Sequence, residues 1–255
     1  MKKKPYPILE FDENPQSILE PSELVSVINA PECCVICFFA EVIQYLIDEW
    51  QARFLVNSKS EMGDHPLYEI DYQGERLAFF HPGIGAPLAA SLLEEMIVRG
   101  CRKFVVCGGC GVLNKDITVG HLLLPVSALR DEGTSYHYLP PSREVNADPH
   151  ALAAIERVLT RHEINYLRTK TWTTDAIYRE TEAKARVYLE EGCLAVEMEA
   201  AAFFAVARFR NVHLGQILYG GDAVIPNEWG GRRWTSRMDI RRNFFWLAAE
   251  AVFEM

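Results

Sequence analysis

Residues 194–202, LAVEMEAAA, join a short apolar run to an amphipathic segment that continues to Arg210. Two carboxylates, Glu197 and Glu199, flank Met198 at the point where the helix is predicted to begin. Inside a helix, residues two apart point about 200° away from each other, so such a pair could not share one ligand. At a strand-to-helix junction both can face the crevice at the end of a sheet, where open α/β sheets bind ligands.

The two carboxylates allow two interpretations. A helix dipole favours a carboxylate near the helix N-terminus, so Glu197 and Glu199 could be an N-cap and a surface residue. An ionised carboxylate is also an acceptor only, and the vicinal hydroxyls of a ribose would donate to it. The spacing alone does not separate a helix cap from a sugar site.

The composition is that of a soluble globular protein. The chain has 255 residues, which fits one large α/β domain or two small ones, and it is 49% hydrophobic. Its net charge of −9 argues against a nucleic-acid partner, because a general nucleic-acid binder carries a basic face. No apolar stretch reaches the ~18 residues of a transmembrane helix, and the N-terminus lacks an apolar signal core. We therefore expect a cytoplasmic protein without a membrane partner.

The cysteines raise the question of a metal site. There are seven, an odd number, and they include the CxxC pairs Cys34/Cys37 and Cys107/Cys110. The gap between these pairs is far longer than the ~15–20 residues of a zinc ribbon. Cys107 and Cys110 could instead form a labile disulfide. We expect reduced, buried thiols that act as small hydrophobic side chains, and no metal.

Apolar runs and helical spacing predict a chain of alternating strands and helices. A proline-rich extension over residues 1–30 precedes the main domain, residues 31–255. The predicted strands cover residues 33–39, 67–72, 76–80, 103–107, 121–126, 166–171, 193–196 and 211–219. The predicted helices cover residues 40–50, 88–99, 147–161, 198–210 and 236–253.

Three motifs together resemble the nucleoside phosphorylase superfamily, which includes purine nucleoside and uridine phosphorylases and the related nucleosidases. They are VEMEAAA, the upstream TTDAIY (173–178) and the downstream GGDAV (220–224). The resemblance runs from about residue 35 to residue 224. It implies a single α/β domain whose central mixed, partly closed β-sheet is flanked by helices. It also implies a homo-oligomer, from dimer to hexamer.

The resemblance assigns a sugar site to the motif at 194–202. Glu199, with Met198, would hold the ribose 2′- and 3′-hydroxyls, and Glu197 would support the geometry of base and sugar. The turn from His81 to Gly85 resembles a family turn that lies beside the sugar. The substrate implied is a small-molecule nucleoside.

The same resemblance places the base. The family's base-stacking position corresponds to Ile177, with Tyr178 beside it. The residues that read uracil in uridine phosphorylases correspond to Thr181 and Ala183, so the resemblance favours a purine-type base. Asp222 matches an acid that protonates the purine nitrogen N7 as the bond breaks, and burial can raise the pKa of such an acid.

The phosphate site of the family is altered in this sequence. At the first strand end, Phe39 replaces the family's glycine and Ile43 its arginine. At the end of the strand predicted for residues 103–107, Val106 replaces an arginine of the family and Gly109 replaces a residue with a hydroxyl group. Gly108 and Gly109 are nevertheless expected in a loop that faces the nucleophile.

Three functions follow from these departures. The first is phosphorolysis with inorganic phosphate as co-substrate and no cofactor, if Arg130, Arg232, Arg233 or a neighbouring subunit supplies the cation. The second is hydrolysis, because the nucleosidases lack the same arginine and use a glutamate near the first turn, where Glu41 lies. The third is a nucleoside-binding protein without turnover, which a cavity blocked by phenylalanine side chains would indicate.

Overall fold

The computed structural model describes residues 3–225 and 228–255. Within these ranges the chain forms one mixed sheet with helices around it. The strands are β1 (Cys33–Cys37), β2 (Arg53–Ser60), β3 (Gly63–Tyr72), β4 (Glu75–Phe80), β5 (Lys103–Val112), β6 (Leu122–Asp131), β7 (Glu144–Asn146), β8 (Tyr166–Thr174), β9 (Cys193–Glu197), β10 (His213–Ile225) and β11 (Glu228–Gly230).

Five helices begin and end within two residues of their predicted positions, whereas Pro21–Leu24, Ser135–Tyr138 and Glu182–Glu190 were not predicted. The helices are α1 (Pro21–Leu24), α2 (Ala40–Glu49), α3 (Ala86–Arg99), α4 (Ser135–Tyr138), α5 (Pro149–Arg161), α6 (Glu182–Glu190), α7 (Ala200–Arg210) and α8 (Met238–Phe253). None of the helices in the described ranges is long and apolar enough to span a membrane.

Five strands of the sheet close into a ring. β5 pairs antiparallel with β9, β9 pairs parallel with β8, and β8 pairs parallel with β6. β10 then pairs antiparallel with β6 and parallel with β5, which closes the circuit. β1, β4, β3 and β2 extend from β5 as an open wing. This arrangement confirms the predicted single α/β domain with a mixed, partly closed sheet.

Local sequence explains the elements that hold the site. All five residues of β1, CCVIC, are buried, because helices cover both faces of a parallel strand in such folds. α8 packs against β1, β5 and α5, which brings the end of the chain back to the ring. Asp148 begins α5 by accepting the His150 N–H at 3.0 Å, as its place before Pro149 predicts.

The glycine-rich segment predicted as a loop is instead the second half of β5. Gly108 and Gly109 pair in register with Leu218 and Tyr219 of β10. A Cβ atom on Gly109 would lie 2.6 Å from the Trp234 ring, so the glycine is needed for close packing rather than for a turn. The sequence analysis also missed β2, whose side chains are largely exposed and lack a clear alternation.

The cysteines belong to the core, whereas the N-terminal extension lies on the surface. All seven cysteines are free and buried. The extension runs along the domain surface, where the Ile28 and Ala30 N–H groups donate to the Arg99 carbonyl at 3.5 and 3.2 Å. Glu20 forms an ion pair with Arg210 at 3.8 Å. The extension is therefore anchored to α3 and α7 at its C-terminal end.

Candidate active site

A cavity of about 800 Å³ lies where the ends of the ring strands meet α8. Its wall includes the segments that follow β1, β8 and β9, together with the C-terminal part of β5 and the central and C-terminal parts of β10. Phe38 and Phe39 lie in this wall without closing the space. The cavity is large enough for a nucleoside, which places it within the usual range of small-molecule sites.

Glu197 at the end of β9 is a structural carboxylate with several donors. Its Oε1 accepts from the Thr173 hydroxyl at 2.6 Å, and its Oε2 accepts from the N–H groups of Glu199 and Ala200 at 2.8 and 2.6 Å. These bonds cap α7 and tie it to β8. Glu197 is thus the helix cap that one interpretation of the sequence required.

Glu199 lies one residue before α7 and also lines the cavity. Its Oε1 accepts the Gly85 N–H at 2.5 Å, so the turn before α3 holds this carboxyl group in place. Met198 lines the cavity between the two glutamates. Both glutamates therefore line the cavity, and Glu197 also caps the helix.

Burial raises the pKa of both glutamates. For Glu199 the pKa is raised to about 8, first by burial and then by the neighbouring charge of Glu197. The pKa of Glu197 is also raised by burial, although its hydroxyl and amide donors oppose that effect. Two carboxyl groups so close together in an apolar wall do not both ionise easily, so Glu199 holds a proton at neutral pH in the empty cavity.

Asp222 and a second carboxyl group, Glu180, line another part of the same cavity. Asp222 sits where the register of β10 shifts between Gly220 and Ala223, and such a bulge redirects a side chain. Its Oδ2 accepts from the Trp229 Nε1–H at 3.1 Å. Burial, and then the charge of Asp222, raises the pKa of Glu180 to about 7.

Sequence analysis missed Glu180. It lies two residues after Tyr178, the last residue of the TTDAIY motif, and this proximity was the available clue. Ile177 and Tyr178, the predicted base wall, occupy one turn of 3₁₀ helix and are 54% and 96% exposed. Both line the cavity, but their exposure places them at its mouth rather than in its depth.

Arg241 of α8 is the cation in the described cavity wall, and the sequence analysis did not identify it. Its Nε donates to the Tyr219 hydroxyl at 2.9 Å, and its Nη1 donates to Glu41 Oε1. The guanidinium carbon lies 4.9 Å from the ring centroid of Phe39 and 5.4 Å from that of Trp234. Arg241 is only 8% exposed, so a buried positive charge borders the cavity.

The three arginines proposed from the sequence lie elsewhere. Arg130 is buried, and it donates to the Ser135 hydroxyl at 2.8 Å and to the Pro140 carbonyl at 2.8 Å within its own loop. Arg232 donates to the Ile117 carbonyl at 2.6 Å. Arg233 is exposed. None of these three belongs to the cavity wall in the described part of the chain.

His81 and Gly108 are close to the cavity wall but not part of it. The His81 Nδ1 accepts the Gly83 N–H at 3.0 Å, its ring meets Phe38 edge-on at 6.0 Å, and burial lowers its pKa. A Cβ atom on Gly108 would lie 3.1 Å from the Phe38 ring. Both residues therefore support Phe38, which does line the cavity.

Gln216 of β10 is a further polar residue of the wall that the sequence did not suggest. It is 1% exposed, and its Oε1 has no hydrogen-bond partner among the described residues. An unsatisfied buried amide oxygen is costly, so a donor from a bound molecule would stabilise it. Its presence supports a polar ligand in a cavity whose wall is otherwise largely apolar.

Comparisons with known proteins show what this chain is similar to. A sequence model described as the phosphorylase superfamily matches residues 32–239. A guanosine phosphorylase of Halorubrum lacusprofundi is 30% identical over 168 residues, which cover 66% of this chain and 70% of the relative. A uridine phosphorylase of Treponema pallidum is 31% identical over 185 residues, covering 67% and 69%.

Solved structures share the fold. A uridine phosphorylase from Vibrio fischeri superposes with a TM-score of 0.77 at 21% identity and covers 94% of this chain and 100% of its own. An AMP nucleosidase from Bacteroides thetaiotaomicron superposes with a TM-score of 0.73 at 19% identity, covering 91% and 96%. At these identities the superpositions establish the fold.

The shifted pKa of Glu199 predicts how stability depends on pH. The folded-state pKa of Glu199, about 8, lies above the ordinary 4.5. Its contribution to the free energy of unfolding is therefore complete below pH 4.5 and is lost as the pH rises to about 8. Glu199→Gln keeps a neutral side chain, so it should remove a slope of up to ~1.4 kcal/mol per pH unit from the free energy of unfolding. Urea unfolding of both proteins at pH 5.5, 6.5 and 7.5 measures this slope.

Glu49→Gln is the matched control, because it makes the same chemical change at an exposed position on α2. It should leave the slope of the wild-type protein unchanged. Parallel pH profiles for the wild-type protein and Glu199→Gln would show that Glu199 is ionised in the folded protein at neutral pH.

Proposed function

This chain belongs to the phosphorylase superfamily, a family of nucleoside phosphorylases and nucleosidases, and we propose that it cleaves the N-ribosidic bond of a purine nucleoside with inorganic phosphate. The products are the free base and the sugar 1-phosphate. One observation carries the proposal: a single cavity combines Glu199, Asp222 and Glu180 with the buried cation of Arg241.

The chemistry divides between the sugar and the base. The electron pair of the C1′–N9 bond leaves with the base, and C1′ passes through an oxocarbenium-like transition state. Glu199 receives the ribose hydroxyls, which positions C1′ in the cavity. Asp222 donates its proton to N7 of the departing purine, because an anionic base is a poor leaving group. A phosphate oxygen then forms the new bond to C1′.

The carboxyl group of Glu180 favours a 6-oxopurine as the base. A 6-oxopurine carries a hydrogen on N1, which an ionised carboxylate accepts, whereas N1 of adenine has no hydrogen and would be repelled. Glu180 lines the cavity beside Asp222, and its carboxyl group makes no hydrogen bond among the described residues. The Halorubrum relative is named a guanosine phosphorylase, which supports the same class of base.

The buried guanidinium of Arg241 favours phosphate as the nucleophile. The family's phosphate positions are occupied here by Phe39, Ile43, Val106 and Gly109, and none of these offers a charge. A guanidinium recognises phosphate oxygens through two parallel N–H donors. The aromatic rings on either side hold Arg241 at the cavity wall, so a buried anion site is available from a different element of the fold.

One observation favours a second function, hydrolysis by a nucleosidase. The Glu41 carboxylate lies against Arg241, and a water molecule held by that pair could take the place of phosphate. The third reading, a binding protein with a blocked cavity, receives no such support, because Phe38 and Phe39 leave the cavity open.

The remaining expectations belong to the same proposal. We propose that the enzyme needs no metal or organic cofactor, that it acts on a small-molecule nucleoside in the cytoplasm, and that it works as a homo-oligomer between dimer and hexamer. Exposed apolar side chains along the N-terminal extension support the oligomer, among them Ile18, Leu24 and Val27 at 104%, 67% and 74% exposure.

The proposal is tested by the release of free base from guanosine, inosine, adenosine, uridine and their deoxy forms, each with and without phosphate. We expect release from the 6-oxopurine nucleosides that requires phosphate and yields the sugar 1-phosphate. Release at the same rate without phosphate would establish the nucleosidase instead. Binding without release from any nucleoside would contradict both enzymatic functions.

Asp222→Asn should lower kcat on purine nucleosides by about 10²–10⁴-fold, because the amide cannot deliver a proton to N7. The melting temperature should change little, since the Trp229 Nε1–H still finds an oxygen to donate to. Steady-state kinetics beside a thermal unfolding scan make the measurement. An unchanged kcat would remove Asp222 from the mechanism.

Glu180→Gln should lower kcat/KM for guanosine by about 10–100-fold, because a charged hydrogen bond to the base edge is lost. Adenosine, which offers no N1–H, should be affected far less. Glu190→Gln is the control, because Glu190 is exposed on α6, the helix that follows. Equal losses for guanosine and adenosine would show that Glu180 does not read the base.

A further inference from the structure

The ion pair between Glu41 and Arg241 is asymmetric. The Arg241 side chain is 9% exposed, whereas the Glu41 side chain, in the first turn of α2, is 33% exposed. A cation so deeply buried requires an anionic partner, because an unpaired charge in an apolar wall is strongly destabilising. Glu41 is the anionic partner that meets this need in the structure.

The two partners are also anchored to different degrees. Arg241 is held by the Tyr219 hydroxyl at 2.9 Å and by the rings of Phe39 and Trp234. Tyr219 is fixed in turn, because its hydroxyl donates to the Trp234 carbonyl at 3.0 Å. Within residues 3–225 and 228–255, Arg241 is the one hydrogen-bond partner of the Glu41 side chain. Glu41 can therefore leave while Arg241 stays in position.

We propose that the Glu41 carboxylate occupies the phosphate position on Arg241 while the cavity is empty, and that the incoming anion displaces it. The inference rests on the proposed phosphorolysis. A carboxylate and a phosphate accept from a guanidinium in the same way, so each can satisfy the buried cation. The two anions repel each other, so they exclude one another from Arg241.

Two consequences follow for the binding of phosphate. The bond from Arg241 to Glu41 must break before phosphate binds, so Glu41 weakens phosphate binding and sets its affinity. Arg241 nevertheless has an anionic partner both before and after phosphate binds, first Glu41 and then phosphate. The protein therefore never carries an unpaired charge in the cavity wall. Glu41 is thus an affinity-determining residue and not a base that activates water.

Glu41→Gln tests the inference through two readouts. The KM for phosphate in guanosine cleavage should fall about tenfold, because a neutral amide competes poorly for the guanidinium. The rise in melting temperature caused by phosphate alone, without nucleoside, should be larger than in the wild-type protein. Without phosphate the variant should melt at a lower temperature, because Arg241 then lacks its counter-ion.

Two further variants make the comparison specific. Glu49→Gln lies on the same helix and should match the wild-type protein in both readouts. Glu41→Asp retains the charge but shortens the side chain, so it should lower the KM for phosphate by less than Glu41→Gln. It also keeps the inference testable if Glu41→Gln does not fold.

The outcomes separate this inference from the proposed function. If phosphate is required for turnover but Glu41→Gln and Glu49→Gln have equal phosphate KM values and melting shifts, the displacement is wrong and phosphorolysis stands. A higher phosphate KM in Glu41→Gln would show that Glu41 positions Arg241, which also overturns it. Base release that needs no phosphate and is lost in Glu41→Gln would overturn both and assign hydrolysis.

Discussion

The hydrogen bonds of Glu197 are the constraint on which the site depends. One carboxylate oxygen accepts from Thr173 of β8, and the other accepts from the first amides of α7. Because these bonds fix α7 to the end of the sheet, Glu199 is placed one residue before the helix, at the cavity. The buried carboxyl group at position 197 thus converts a strand end into a defined ligand site.

The closed ring explains why so many acidic groups meet in one place. β8, β9 and β10 belong to the same circuit, so the segments after them converge on one cavity. Burial raises the pKa of Glu199 and of Glu180, and the neighbouring Glu197 and Asp222 add to the respective shifts. Buried carboxyl groups with raised pKa values are typical of sites that hold and transfer protons.

The sequence predicted the parts of the structure that depend on local pattern. The buried strand at Cys33–Cys37 and the start of α5 after Asp148 follow from apolar runs and capping chemistry. The strand-to-helix junction at Glu197 was also placed correctly. The segment after Cys107 was not, because glycines in a strand resemble glycines in a loop unless the packing of Trp234 is known.

Arg241 shows the limit of arguments based on sequence position. It lies far along the chain from Glu41, and α8 returns to the ring only because its apolar face packs on β1 and β5. A family motif can reveal that a cation is missing from its usual place, but it cannot show which distant helix supplies another. The proposed binding of an anion constrains where a positive charge lies in space and leaves open where it lies in the chain. The buried guanidinium beside Phe39 and Trp234 lies where the proposal needs it, although it is 200 residues from Glu41 in the chain.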